Sequence, residues 1–265
     1  MNMENTTAAP RPLVLITNDD SIDAPGLHVL ARLTAEWADV LCVAPRRPQS
    51  GKSSAMTFGN MLRLAEAHPA NAVEGVRYYT VDNGTPVDCV KMAIYMLAPQ
   101  KPDFVFSGIN HGSNSGVNVV YSGTMGAVIE GAIEGIPSAG FSLLHHSMAA
   151  DFSLSEDLVR GIMQRIRTNP PAQGVCLNIN IPAKIVPKGV RACRACRGRW
   201  SDGYEKFTDP HGRDFYMLAG RFVNEEPDAT DTDEYWLAQG YISVVPVACD
   251  MTAHSALPST AAFDA

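Results

Sequence analysis

The first residues in this chain able to do chemistry are Thr17-Asn18-Asp19-Asp20, where the apolar run Leu13-Val14-Leu15-Ile16 ends in two adjacent carboxylates. Side by side, two carboxylates repel unless a cation or a shared proton relieves them. The simplest relief is a hard divalent metal, which prefers oxygen ligands. Asp and Asn also cap helices and make turns, and that role alone would account for one of the three. Three further polar sets follow: Ser50 in a basic, turn-rich stretch; Asn110 and Asn114 among glycines; and Ser122-Gly123-Thr124 ahead of an apolar helical pattern. Carboxylates, a hydroxyl and an amide oxygen suit Mg²⁺, Mn²⁺ or Ca²⁺ rather than a structural zinc. The exposed amides of a helix start at 122–124 would hold an anion, although an ordinary capped helix has the same pattern. A metal beside a phosphate-holding helix start suggests metal-assisted phosphate-ester hydrolysis, with Asp19 or Asp20 orienting a water or taking its proton. His111 is a candidate general acid, and a solvent-facing loop histidine reads the same way.

Each set must be carried by an element. The run 13–16 has the length and branching of a buried parallel strand, and in an open α/β sheet ligands bind just past such carboxyl ends. Leu27, Leu30, Ala31 and Leu33 keep helical spacing, and Val40 to Ala44 reads as a second strand, so the chain opens on a βαβ unit. Gly51-Lys52-Ser53 is not a Walker A loop, because Arg46 stands where that motif needs glycine. Tyr78 to Val81 reads as a core strand. Thr85-Pro86-Val87-Asp88 is an N-cap, first-turn proline and capping box for a helix that Pro99 ends. Phe104 to Ser107 is a short buried strand expected to stop at Gly108. The glycines after it lack the GxGxxG spacing of a dinucleotide site. Ser138 to Ser142 and Cys176 to Ile181 read as later strands, with an amphipathic helix between them marked by Leu158, Val159, Ile162, Met163 and Ile166. Asp209-Pro210-His211-Gly212 is a strong turn, the stretch 225–234 an acidic, solvated loop, and Tyr241 to Val247 a late strand. Cys193 and Cys196 have zinc-ligand spacing without a second pair, and the strand-like alternation around them favours a structural role.

At 265 residues and 46% hydrophobic, the chain has ample material for a core. A formal net charge of -7 argues against a broad nucleic-acid-binding face. Residues 1–12 show no apolar signal-peptide region, and no run approaches the roughly 20 apolar residues that span a bilayer. The expectation is a cytoplasmic protein with no membrane partner. Residues 1–11 are expected to form a disordered tail and 12–265 one α/β domain, with 12–145 as its core and 146–265 as helix and β extensions.

The motifs above, taken with Ala24-Pro25-Gly26, Ser107-Gly108-Ile109-Asn110, Glu130-Gly131, Asn178-Ile179-Asn180, Thr230-Asp231, Gly240-Tyr241-Ile242-Ser243 and Thr252-Ala253-His254-Ser255, carry a resemblance. In their order, from Leu13 to Ser255, the chain resembles the SurE-type survival-protein phosphatases, the family of 5′-nucleotidase SurE. That resemblance implies a Rossmann-like three-layer core with a mostly parallel sheet, and C-terminal β extensions used in homodimers or homotetramers. It implies one divalent metal ion per subunit (Mg²⁺, Mn²⁺ or Ca²⁺) on Asp19, Asp20, Ser50 and Asn110. Phosphate would be met by Asn18, Asn114, Ser122, Gly123 and Thr124, and catalysis would rest on Asp19, Asp20 and Asn114. The implied activity is hydrolysis of nucleoside monophosphates, with 3′-nucleotides and polyphosphate as further substrates. The rival reading is a non-catalytic metal-dependent nucleotide or polyanion sensor. Two positions depart from the family pattern. Ser21 replaces a glycine, which would alter the turn after the Asp pair, and Ser113 replaces a proline, which would loosen the Asn114 loop.

Overall fold

The computed structural model describes residues 11–201 and 203–260. The expected tail therefore lies outside the described residues, except for Arg11. That side chain is hydrogen-bonded to Asp39 and to the carbonyls of Ala35 and Ala38.

The strands are β1 (Leu13–Thr17), β2 (Asp39–Pro45), β3 (Arg63–Glu66), β4 (Arg77–Asp82), β5 (Phe104–His111), β6 (Ser138–Leu143), β7 (Val175–Ile181), β8 (Val190–Ala192), β9 (Gly198–Ser201), β10 (Tyr204–Thr208), β11 (Asp214–Leu218), β12 (Arg221–Asn224) and β13 (Ile242–Ala248). The helices are α1 (Pro25–Ala35), α2 (Pro86–Met92), α3 (Asn118–Tyr121), α4 (Gly123–Ile133), α5 (Glu156–Thr168), α6 (Asp233–Ala238) and α7 (Leu257–Thr260). The main sheet runs β3-β4-β2-β1-β5-β6-β7-β13-β8. It is parallel from β4 through β7, while β3 and β13 pair antiparallel to their neighbours β4 and β7. The chain leaves β1 toward β2 and β4 on one side, then returns to lay β5, β6 and β7 on the other. This reversal beside β1 opens a crevice at the carboxyl ends, where ligands bind in such sheets.

Alternation along β1 makes the layers. Val14 and Ile16 enter a core with Leu27, Leu30 and Leu33 of α1 and Val159, Ile162 and Met163 of α5. Leu13 and Leu15 enter the opposite core with Cys89 and Val90 of α2 and Ala127 of α4. The result is the mostly parallel, three-layer α/β architecture expected from the sequence.

Local chemistry explains most boundaries. At the start of α2 the capping box forms, with Asp88 N–H on Thr85 Oγ1 at 3.2 Å and Thr85 N–H on Asp88 Oδ2 at 2.8 Å. The expected helix continues past Met92, but residues Ala93–Leu97 widen into a π turn closed by Ala98 N–H on Ala93 O at 2.8 Å. Two expectations are corrected. β5 does not stop at Gly108 but runs to His111, because its ladder with β6 shifts register between Ser107 and Asn110 and then resumes. The stretch 225–234 is not solvated throughout: Thr232 and Asp233 are both 0% exposed and open α6.

Beyond the sheet, β9 pairs with β12, and β10 with β11 across the expected turn at Asp209 to Gly212, forming an arm. Every residue of β10 and β11 is exposed.

Candidate active site

β1 delivers Asn18, Asp19 and Asp20 to the crevice. Asn18 turns inward and donates to Ser21 O at 2.8 Å, closing a tight turn. Ser21 keeps that turn at φ +95°, the conformation the family's glycine would adopt without cost. Asp19 is buried against the start of α4, where Thr124 Oγ1 donates to its Oδ1 at 2.6 Å. Only glycine fits at position 123, since a Cβ there would lie 2.8 Å from Asp19 Cβ and 2.9 Å from Oδ2. Burial pushes the Asp19 carboxyl up to about 6, opposed by the Thr124 hydroxyl and reinforced by the charge of Asp20. Asp20 is anchored from β5, its Oδ2 accepting His111 N–H at 3.0 Å.

The remaining sets converge on the same crevice. Gln49 N–H donates to Asp19 O at 2.7 Å, bringing Ser50 beside the pair. Asn110 spends its Nδ2 on Gly112 O at 2.9 Å, leaving its amide oxygen as an acceptor. Ser122 caps α4, its Oγ accepting Met125 N–H at 3.0 Å. Asp19, Asp20, Ser50, Asn110, Asn114 and Ser122 all line one cleft of ≈ 550 Å³, while Asn18, Gly123 and Thr124 do not line it.

Asn114 is clasped more tightly than its loop position suggested. Its N–H donates to Asn180 Oδ1 at 2.8 Å, its carbonyl accepts Asn178 Nδ2 at 2.7 Å, and its Nδ2 donates to Ser142 Oγ at 2.8 Å. Asn180 Nδ2 in turn donates to Asn178 Oδ1 at 3.0 Å. Ser113 does not loosen the loop: its Oγ lies 2.6 Å from Ser115 Oγ and accepts Ser115 N–H at 3.1 Å, a local tie that proline would lack. The signal for the clasp was two asparagines at alternate positions of an otherwise apolar strand.

A second feature went unread. Tyr121, Trp200, Tyr204 and Leu218 line the same cleft as the carboxylates, the last three contributed by the arm. Trp200 is oriented by its indole N–H on Asn118 Oδ1 at 2.8 Å. The aromatic content of 200–216 was visible in the sequence, but its fold-back onto the crevice was not. His111 also lines the cleft: its Nδ1 sits 3.0 Å from Ser147 O, its ring packs edge-on against Phe152, and its Nε2 is buried with no hydrogen-bond partner among the described residues.

The donor set fits a hard cation. Two adjacent carboxylates, one of them buried, have no cationic side chain paired with them among the described residues. A neutral hydroxyl and an amide oxygen complete an all-oxygen group. Among the described residues no cluster of three or more His, Cys, Asp or Glu is placed to hold a metal, so the Cys193–Cys196 pair completes no zinc site.

The family model for "Survival protein SurE" matches residues 14–202. The chain belongs to the SurE family. Curated relatives named 5′-nucleotidase SurE include that of Christiangramia forsetii, 45% identical over 92% of this chain and 94% of its own. That of Cytophaga hutchinsonii is 46% identical over 93% of this chain and 95% of its own. The crystal structure of the SurE protein from Aquifex aeolicus superimposes with a TM-score of 0.80 at 31% identity, covering 96% of this chain and 100% of the other.

Proposed function

We propose that this chain is a divalent-metal-dependent 5′-nucleotidase that hydrolyses nucleoside monophosphates to nucleoside and phosphate. The observation that carries the reading is a single cleft lined by two chemically different sets of residues. One holds paired carboxylates, a hydroxyl and amide groups beside a helix start; the other is aromatic. A phosphate fits the first and a nucleobase the second, because every base offers a π face to stack. Membership in a family whose curated relatives carry that activity in their names supports the same reading.

Asp19, Asp20, Ser50 and Asn110 are the residues that would hold one Mg²⁺, Mn²⁺ or Ca²⁺ per subunit. When bound, such an ion supplies a Lewis acid that offsets phosphoryl charge and acidifies water. Asp19 and Asp20 both line the cleft, and either carboxylate would orient the attacking water or take its proton. Asn114, with one Nδ2 hydrogen committed to Ser142, offers the other to a phosphoryl oxygen. Ser122 sits at the mouth of the α4 amide cradle; Gly123 and Thr124 supply that cradle's backbone, and Asn18 shapes it from behind. The same set would accept a 3′-phosphate or the end of a polyphosphate.

Two broader points complete the reading. The fully exposed β10–β11 hairpin supports a homodimer or homotetramer built through the arm. No helix of the described residues is long and apolar enough to cross a membrane, and all six cysteines are free, which supports a reducing, cytoplasmic setting. The decisive assay is phosphate release from a nucleoside monophosphate panel with Mg²⁺ or Mn²⁺ and with chelator. Metal-dependent release that Asp19→Asn abolishes is expected; no release under any metal would sink the reading.

A further inference from the structure

The loop carrying Asn114 is held from two sides, and only one of them belongs to the sheet. Opposite the asparagine clasp, its next two residues are held by the first turn of α6. Gly116 N–H donates to Asp233 Oδ2 at 2.7 Å, and Ser115 Oγ donates to the Glu234 carboxylate. The other oxygen of Asp233 accepts Cys196 N–H at 2.9 Å. Cys196 is the root of the arm, two residues before the strand that carries Trp200. One carboxylate, 0% exposed, thus bridges segments 117 and 37 residues away from it in the chain. The two segments touch directly as well. Gly116 sits at φ +54°, and a Cβ there would lie 2.8 Å from Cys196 Sγ and 3.1 Å from Phe222 Cζ.

The simpler role for an acidic residue at this position is to support its own helix. Glu234 N–H does reach Asp233 Oδ1 at 2.9 Å. Yet α6 already has a cap in Thr232, whose Oγ1 accepts Tyr235 N–H at 3.3 Å. A helix of this length needs no buried carboxylate to begin, and burying one is costly unless its hydrogen bonds are all made. They are made here to two segments that both contribute residues to the cleft.

We propose that Asp233 is a positioning residue: through Gly116 and Cys196 it fixes the Asn114 loop and the aromatic wall relative to one another. Its kinetic consequence rests on the nucleotidase reading above; its structural consequence does not. The relative placement of the Asn114 loop and the aromatic residues of the cleft is then set by a group that touches neither substrate nor metal.

The test uses the full chain with Asp233→Asn, which keeps the shape but turns an N–H toward one of the bridged N–H groups, and Thr232→Ala, which weakens α6 and leaves the bridge. Backbone hydrogen exchange of the metal-free proteins is read in peptides covering 113–118 and 196–200. Asp233→Asn should speed exchange about tenfold in both, and Thr232→Ala in neither. In nucleotide hydrolysis, Asp233→Asn should lower kcat about tenfold in the wild-type background and less than about threefold in an Asn114→Ala background, since both act through one group. Unchanged exchange, equal acceleration in Thr232→Ala, or kinetic losses that simply multiply would overturn the proposal. If the wild-type protein releases no phosphate from any nucleotide, the nucleotidase reading fails, and the exchange measurement alone still decides the role of Asp233.

Discussion

Thr124 Oγ1 donates to Asp19 Oδ1 at 2.6 Å, joining the end of the first strand to the first turn of α4 across 105 residues of chain. The bond orients the carboxylate and opposes the rise in its pKa that burial causes. Partners of metal-holding groups typically change affinity by about 10- to 100-fold when removed. Thr124→Val should therefore weaken Mn²⁺ binding at least about tenfold by titration calorimetry, with the fold retained by circular dichroism. Unchanged affinity would mean that the bond is incidental.

The metal-free protein should be destabilised as pH rises. Burial pushes the Asp19 carboxyl up to about 6 in the folded chain from its ordinary 3.8, so the folded state binds this proton more tightly. Stability from that proton is complete below pH 3.8 and is lost as pH climbs through 6. The loss is on the order of 3 kcal/mol. Thermal melts in chelator at pH 5 and 7.5 should show a drop for the wild type that Asp19→Asn lacks. Mg²⁺ at pH 7.5 should restore the wild type alone.

Ser21 holds the turn after the Asp pair at φ +95°. Such a conformation costs a side-chain-bearing residue about 1–2 kcal/mol, and glycine returns part of the gain through its freer unfolded chain. Ser21→Gly should stabilise the protein by about 0.5–1 kcal/mol in urea unfolding while leaving kcat unchanged. A loss of stability would show that the Ser21 side chain contributes more than its backbone strain costs.

Trp200 lines the same cleft as the carboxylates and is held by Asn118. A base stacked on an aromatic side chain is worth about 1–3 kcal/mol. Trp200→Ala should raise KM for nucleoside monophosphates about tenfold and leave KM for a small alkyl phosphate unchanged. Equal effects on both substrates would remove Trp200 from base recognition.

How far the site was legible depended on how local each cause was. Thr85, Pro86 and Asp88 wrote the start of α2 into four consecutive positions, and the structure realises it bond for bond. Asp19, Asp20, Ser50, Asn110, Asn114 and Ser122 could be grouped because each follows an apolar strand run or precedes a helical one at the same edge of the sheet. The extension of β5 to His111 could not be read, because it depends on where β6 resumes pairing after the shift beyond Ser107. Nor could the burial of Asp233, since an acidic run reads as solvated until the partners of its carboxylate, Gly116 and Cys196, are brought to it by the fold. Of the two Thr-Asp pairs there, Thr230-Asp231 carried the resemblance, yet Asp231 meets Arg194 at the surface and Thr232-Asp233 is the buried pair.

The clasp on Asn114 also gives the site a direction in time. A chain emerging from the ribosome presents all of its cleft-floor groups once Ser122 is out. Yet the asparagines that grip the loop arrive only with β7, and the carboxylate that braces its other side later still, with α6. Domains fold as units during synthesis, so the half-made protein carries its reactive groups without the brackets that align them. Competence therefore arrives only after α6 has emerged, and a chain cut short before it keeps the carboxylate pair but not the geometry to use it.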